Sequence, residues 1–295
     1  MIRELSDHEV NALHYELLLK DIVSTAEKLP PFPDIVWKVM PLIRNMAPIE
    51  EIEGVIKFDQ VITARVLTLS QSAYYGRRSK ITSIQDAILV LGGQKLVQVI
   101  MIACAARYFQ GSVSGYNLNE RELWEHSVAT ALVSEKLARR LRLKKALTIY
   151  TASLLHDIGK TVLDLYAKIY LHSSLSEITR EGVRFVDMER KALGIGHEEL
   201  GELIARRWQF PPEVVLAIGH HHHPDRSPTD KDIVTATYIS NEIVNAMGDT
   251  NGSGEPARLD EDPYFIRMGV DRAMVERLQD DLVTDMQEIK EFLRK

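Results

Sequence analysis

Apolar side chains recur at intervals of three and four along nearly the whole chain, and alternating runs of useful strand length are hard to find. This periodicity predicts an all-α protein. "LPPFPDIVWKV" (29–39) reads as a proline-led helix entry with Asp34 in the first turn. Short helices are expected over 47–59 and 61–73, with a loop over 74–83. Ser83 precedes a helix that Gly92 and Gly93 end, and another apolar helix follows to about 109. "QGSVSGYN" (110–117) has the composition of a connector, so the main boundary falls there. Further helices are expected from 119 to 141, around 144–160, 161–180, 184–193, 196–208, 211–223 and 230–248. The expected organisation is an extension (1–28), an N-terminal helical half (29–115), a second helical half packed on it (116–248), and a polar loop with a closing amphipathic helix (249–295). In that last helix Val275, Leu278, Leu282, Met286, Ile289 and Leu293 form one stripe, suited to core packing or to a homodimer seam.

Composition narrows the function classes. The net charge of −6 argues against direct nucleic-acid binding, which needs a basic footprint. The single cysteine, Cys104, rules out an internal disulfide framework and any cysteine-rich zinc motif. The opening "MIRELSDHEV" lacks the apolar region of a signal peptide. The most apolar stretch, 87–109, is interrupted by Gln94, Lys95 and Gln98 and is not expected to span a membrane. A reducing cytoplasm fits these features.

The chemistry lies in the histidines. "LAIGHHHHPDR" (216–226) places four in a row at the end of an apolar helix. His221 and His222 continue the stripe of Val214, Val215 and Ile218, whereas His220 and His223 fall further round. The same test sets His126 with Leu123, Thr130, Val133 and Leu137, and His156 with Ile149 and Ala152, beside Asp157. His197 lies with Leu200 and Ile204, and Asn241 with Val234, Tyr238 and Val244. One inward imidazole is usually a hydrogen-bonded core residue. Five, with an aspartate, would each need partners unless a shared cation satisfied them together. A carboxylate flanked by imidazoles is also the layout of two-metal hydrolytic sites.

At "LLHDIGK" (154–160) the second half resembles the HD superfamily of metal-dependent phosphohydrolases. With "LPPFP", "QSAYYG", "ITSIQDAILVLGG", "LWEHSVATA", "GHEELGELIARRW" and "AIGHHHHP", the span from 29 to 248 resembles an HDOD domain, the HD-related output domain of bacterial signalling proteins. The resemblance implies an all-helical fold with an HD-like second half. It also implies a ligand set of His126, His156, Asp157, His197, His221 and His222 for one or two divalent transition-metal ions (iron, manganese or zinc), with Lys160 placed to contact phosphate. Glu122 matches a ligand of some relatives, but Asn119 three residues before it makes a capping box an equal explanation. Asn241 stands where the HD core has its last metal-binding aspartate, and a neutral carboxamide is the weaker ligand. The glycine-tyrosine-proline loop of the cyclic-dinucleotide enzymes is absent, because Pro224 directly follows the histidines. The function expected is a regulatory module that binds a signalling protein or a small phosphorylated ligand. The alternative is a metal-dependent phosphohydrolase acting on a nucleotide or cyclic dinucleotide, with Lys160 and Asp157 in the reaction.

Overall fold

The computed structural model describes residues 7–71, 81–171, 184–247 and 259–293. Its helices are α1 (Asp7–Glu27), α2 (Asp34–Arg44), α3 (Ile49–Ile56), α4 (Gln60–Ser70), α5 (Ile84–Ala105), α6 (Glu122–Arg140), α7 (Ala146–Leu155), α8 (Lys160–Tyr170), α9 (Phe185–Leu193), α10 (His197–Arg207), α11 (Pro212–His220), α12 (Lys231–Asn245), α13 (Pro263–Met268) and α14 (Arg272–Leu293). Among the described residues there is no strand, only an isolated bridge between Val113 and Leu118. The all-α expectation holds. The loop expected over 74–83 and the second half of the helix expected to 180 fall largely outside the described residues.

Helix α7 organises the rest. Its sequence, "ALTIYTASLL", offers no polar face, and every residue from Ile149 to Leu155 is buried. A helix apolar all round must be surrounded, and α7 packs against α5, α6, α11 and α12. Its C-terminal end therefore lies inside the protein, and His156 and Asp157 emerge there, 0% and 1% exposed. The chain turns at once into α8 through bonds from Ile158 N to Leu155 O and from Lys160 N to Asp157 O.

Gly159 makes the next approach possible. A Cβ there would sit 2.0 Å from the carbonyl oxygen of His197 and 2.9 Å from the nitrogen of Gly201. Only hydrogen at this position lets the first turn of α10 lie directly on the turn that follows Asp157. The glycines of "LLHDIGK" and "GHEELG" thus meet each other, and their meeting brings His197 to Asp157.

The first half is joined to this centre by aromatic packing. Phe32 lies against Tyr108, Trp208 and Phe210, with ring centroids 5.8, 5.3 and 5.0 Å away. Trp208 Nε1 and Tyr108 Oη donate to the carbonyls of Pro30 and Pro31. Pro33 has no N–H to offer the Pro30 carbonyl in a turn, so Trp208, just after α10, takes it, while Tyr108 of the 106–108 turn takes the Pro31 carbonyl. Helix α5 runs through Gly92, whose φ of 69° breaks the helical path where the sequence predicts a stop. The 84–108 segment is long and apolar enough to cross a membrane by composition, but here it supplies core side chains from Leu96 to Ala105. Val275, Leu278, Leu282 and Ile289 of the closing helix are buried in packing against α6, α4 and α12, while the Leu293 side chain lies outside the described set.

Gly159→Ala forces backbone against backbone. The expected outcome is a loss of about 1–3 kcal/mol of stability, read from urea unfolding, together with weaker metal binding because His197 must withdraw from Asp157.

Candidate metal centre

Six polar side chains predicted to face inward converge on one point. Asp157 sits at the end of α7, and its two carboxylate oxygens face different neighbours. Oδ2 lies 3.4 Å from His156 Nε2, 3.7 Å from His126 Nε2 and 2.7 Å from Lys160 Nζ. Oδ1 lies 3.2 Å from His197 Nε2 and 3.8 Å from His221 Nε2. His222 Nε2 completes the second side, 3.0 Å from His197 Nε2. The donors thus fall into two adjacent groups, His126–His156–Asp157 and His197–His221–His222, each with its ligand atoms within 4.8 Å of one another. The carboxylate straddles both groups.

Local structure aims the rings. His156 follows the last turn of α7 and places Nδ1 2.8 Å from the carbonyl of Ser153. His221 follows the last turn of α11 and places Nδ1 2.7 Å from the carbonyl of Ile218. A carbonyl only accepts, so each Nδ1 carries the proton and each Nε2 presents a lone pair to the centre. His197 opens α10, and Glu189 on α9 holds both its backbone N–H (2.8 Å) and its Nδ1 (2.7 Å). His126, in the second turn of α6, directs Nε2 to Asn241 Oδ1 at 3.0 Å and to His156 Nε2 at 3.3 Å.

These donors fit a transition-metal cation. Among the described atoms, His221 Nε2 and Asp157 Oδ1 are buried without a hydrogen-bond partner. Buried acceptors left unmet destabilise a fold by about 1–3 kcal/mol each, and facing imidazole lone pairs repel. A cation between them removes both problems, and the bonds at Nδ1 are the outer-shell contacts that metal-ligating histidines make.

Electrostatics agree. Burial lowers the pKa of His156, and lowers those of His221 and His222 well below the usual value. Burial, with His156 alongside, brings His126 down to about 3. Burial thus favours the neutral form of all four rings. His156 and His221 already present Nε2 lone pairs, whereas His126 Nε2, facing the acceptor Asn241 Oδ1, carries the proton and would have to move it to Nδ1 to coordinate. Burial alone would raise the Asp157 pKa, but His156, Lys160 and His197 overcome it and hold the carboxyl well below its ordinary range. His197 is the exception. Burial acts to lower its pKa, yet Glu189 and Asp157 raise it to about 9.

The weaker candidates part company here. The exposed Glu122 accepts from the backbone and side-chain nitrogens of Asn119, both at 2.8 Å, and is not among the converging donors. The expected capping box is only half formed, because Arg121, two residues after Asn119 and with φ of 75°, is the residue that caps α6, which begins at Glu122. Asn241 does reach the centre, through His126. His223 is drawn aside, with Nε2 3.2 Å from Arg184 Nη2. Glu189 and Tyr116, whose hydroxyl donates to Glu189 Oε1 at 2.5 Å, were not foreseen from the sequence. The stripe test applied to every polar residue finds Glu189, which lies between the buried Val186 and Leu193 on α9.

Comparison with known protein families matches residues 29–224 to the HDOD domain. The chain belongs to the HDOD domain family. An uncharacterized protein of Treponema pallidum (strain Nichols) is 23% identical over 235 residues, which are 78% of this chain and 45% of that protein. Ribonuclease Y of Thermus thermophilus is 35% identical over 105 residues, 36% of this chain and 13% of that enzyme. This HDOD chain therefore spans less than half the length of these curated relatives. Among solved structures, an HDOD domain protein of unknown function from Geobacter sulfurreducens superposes with a TM-score of 0.71 at 24% identity, covering 96% of this chain and 97% of that one. A candidate phosphohydrolase from Shewanella amazonensis superposes with a TM-score of 0.69 at 20% identity, covering 92% and 97%. At these identities the likeness is one of fold.

Metal binding must displace the extra proton of His197. Below about pH 9 the proton competes, so affinity for Zn2+ or Mn2+ is expected to rise with pH up to that value and to level off above it. Calorimetry in buffers of different ionisation enthalpy is expected to show about one proton released at this ring near neutral pH.

Proposed function

We propose that this chain is a metal-binding regulatory module that takes a small phosphorylated ligand at the Asp157 centre and passes on its presence, without fast turnover. The observation that carries this reading is the donor set: the imidazoles converge, but His126 meets the carboxamide of Asn241, 3.0 Å away, rather than a second carboxylate. His126, His156 and Asp157 would hold one ion, and Asp157, His197, His221 and His222 a second. When bound, the metal supplies Lewis acidity toward a phosphoryl oxygen.

The residues of the chain select for an anion. Neutral imidazoles and one carboxylate leave divalent charge undercompensated, and Lys160 adds a further cation beside Asp157. The side chains of Lys160 and His126 are 20% and 21% exposed, whereas those of His156, Asp157, His197 and His221 are 2% or less. A ligand therefore reaches the centre past His126 and Lys160, and Lys160 is the group placed to orient its phosphate. Helix α8 starts at Lys160 and carries the exposed Leu165 and Ile169, which supports a protein partner as recipient of the signal.

A second reading, metal-dependent hydrolysis of a nucleotide or cyclic dinucleotide, is favoured by one observation: both oxygens of Asp157 face imidazole groups, as a bridging carboxylate would. A panel of phosphoesters assayed with added iron, manganese or zinc decides between the two. The regulatory reading expects ligand binding without turnover. Turnover that the His156→Ala, Asp157→Ala double variant abolishes would replace it with the hydrolytic one. Asn241→Asp is expected to raise metal affinity, measured by titration, because it adds an anion beside His126; unchanged affinity would place the metal elsewhere.

A further inference from the structure

Beyond the direct ligands, a buried acid on a neighbouring helix controls one of them. Glu189 is 0% exposed. Its Oε2 takes the N–H of His197 at 2.8 Å and the Nδ1 of the same residue at 2.7 Å. Its Oε1 takes the Tyr116 hydroxyl at 2.5 Å. Tyr116 belongs to the short 3-10 turn Ser114–Tyr116, and its ring packs on Phe185, the first residue of α9, at 4.8 Å. Gly115 in the same turn donates its N–H to Asp164 of α8 at 2.6 Å. A Cβ on Gly115 would meet the backbone oxygen of Asp164 at 2.4 Å, so the turn is pressed against α8.

We infer that Glu189, oriented by Tyr116, is a positioning residue for the metal centre: it fixes His197 as an Nδ1–H imidazole whose Nε2 faces the Asp157 side. The inference rests on the metal-binding reading given above. Oε2 already accepts the backbone N–H of His197, so it faces Nδ1 as an acceptor too; Nδ1 carries the N–H, and the lone pair of the neutral ring is forced onto Nε2. The double grip on N and Nδ1 also locks the ring against the start of α10.

Glu189, His197 and Glu198 lie close enough to suggest a third cation site. Their contacts assign them otherwise. Glu198 is ion-paired with Arg190, and the Nδ1 of His197 is engaged by Glu189. Glu189 therefore acts through His197. The connector and α9 become part of the metal site without touching a metal, so a displacement of the 114–116 turn alters how His197 is presented.

The test compares wild type, Glu189→Gln and Tyr116→Phe by Zn2+ calorimetry and by imidazole 15N spectra of the metal-free proteins at alkaline pH. Glutamine keeps the shape but can turn its NH2 toward Nδ1, which admits the Nε2–H tautomer that cannot coordinate. The expected result for Glu189→Gln is the same number of ions at saturation, an affinity about 10–100-fold lower, and the appearance of His197 in the Nε2–H form. Tyr116→Phe, which leaves the Glu189–His197 bonds in place, is expected to give a smaller loss in the same direction and keeps the test open should the glutamine variant fail to fold. Unchanged affinity in both variants overturns the inference. Loss of a whole equivalent of metal in Glu189→Gln overturns it too, by making Glu189 a ligand itself. Wild type that binds no Zn2+ at all refutes the metal-binding reading first, and the inference with it.

Discussion

The molecule is arranged around a carboxylate taken out of water. Asp157 is 1% exposed, and an isolated carboxylate at that depth would be protonated or would unfold its surroundings. It stays charged because Lys160 and a ring of imidazoles from α6, α10 and α11 close on it. Each of those elements must arrive at one place, and the packing of the second half follows from that demand. The apolar helix α7 carries the carboxylate inward, Gly159 removes the Cβ that would keep α10 away, and Pro211 and Pro212 open the helix whose end presents His221.

The same compensation explains why the centre suits a cation. Lone pairs on His156, His221 and the far oxygen of Asp157 face one another, with their outer nitrogens already committed to carbonyls. Such an arrangement stores repulsion in the metal-free protein and releases it on binding. Where the HD pattern that the sequence resembles has a second acid, the chain offers the carboxamide of Asn241. Under the regulatory reading proposed above, that smaller negative charge would favour capture of an anionic ligand over its rapid conversion.

Much of this was legible in the residues. Helical periodicity established the fold class, because no other backbone places apolar side chains at three and four over such lengths. Asking which polar residues lie on a buried stripe found His126, His156, His197, His221 and Asn241, since the stripe of a helix is a local property of its sequence. Glu189 satisfies the same criterion on α9, between Val186 and Leu193. Glu122 does bond Asn119 as the capping pattern expects, but the helix starts later than that pattern places it, because the left-handed conformation of Arg121 is not visible in the pattern. The contact between Gly159 and His197, and the reach of Tyr116 to Glu189, depend on how distant segments cross, which no local pattern encodes.

The central claim is that imidazoles from separate helices share a cation across Asp157. The most direct measurement is an anomalous difference map from crystals grown with Mn2+ or Zn2+. The account predicts density flanking the two oxygens of Asp157, with ligand nitrogens at about 2.0–2.1 Å for zinc. A map with no peak there, or with metal only at surface side chains, would contradict it.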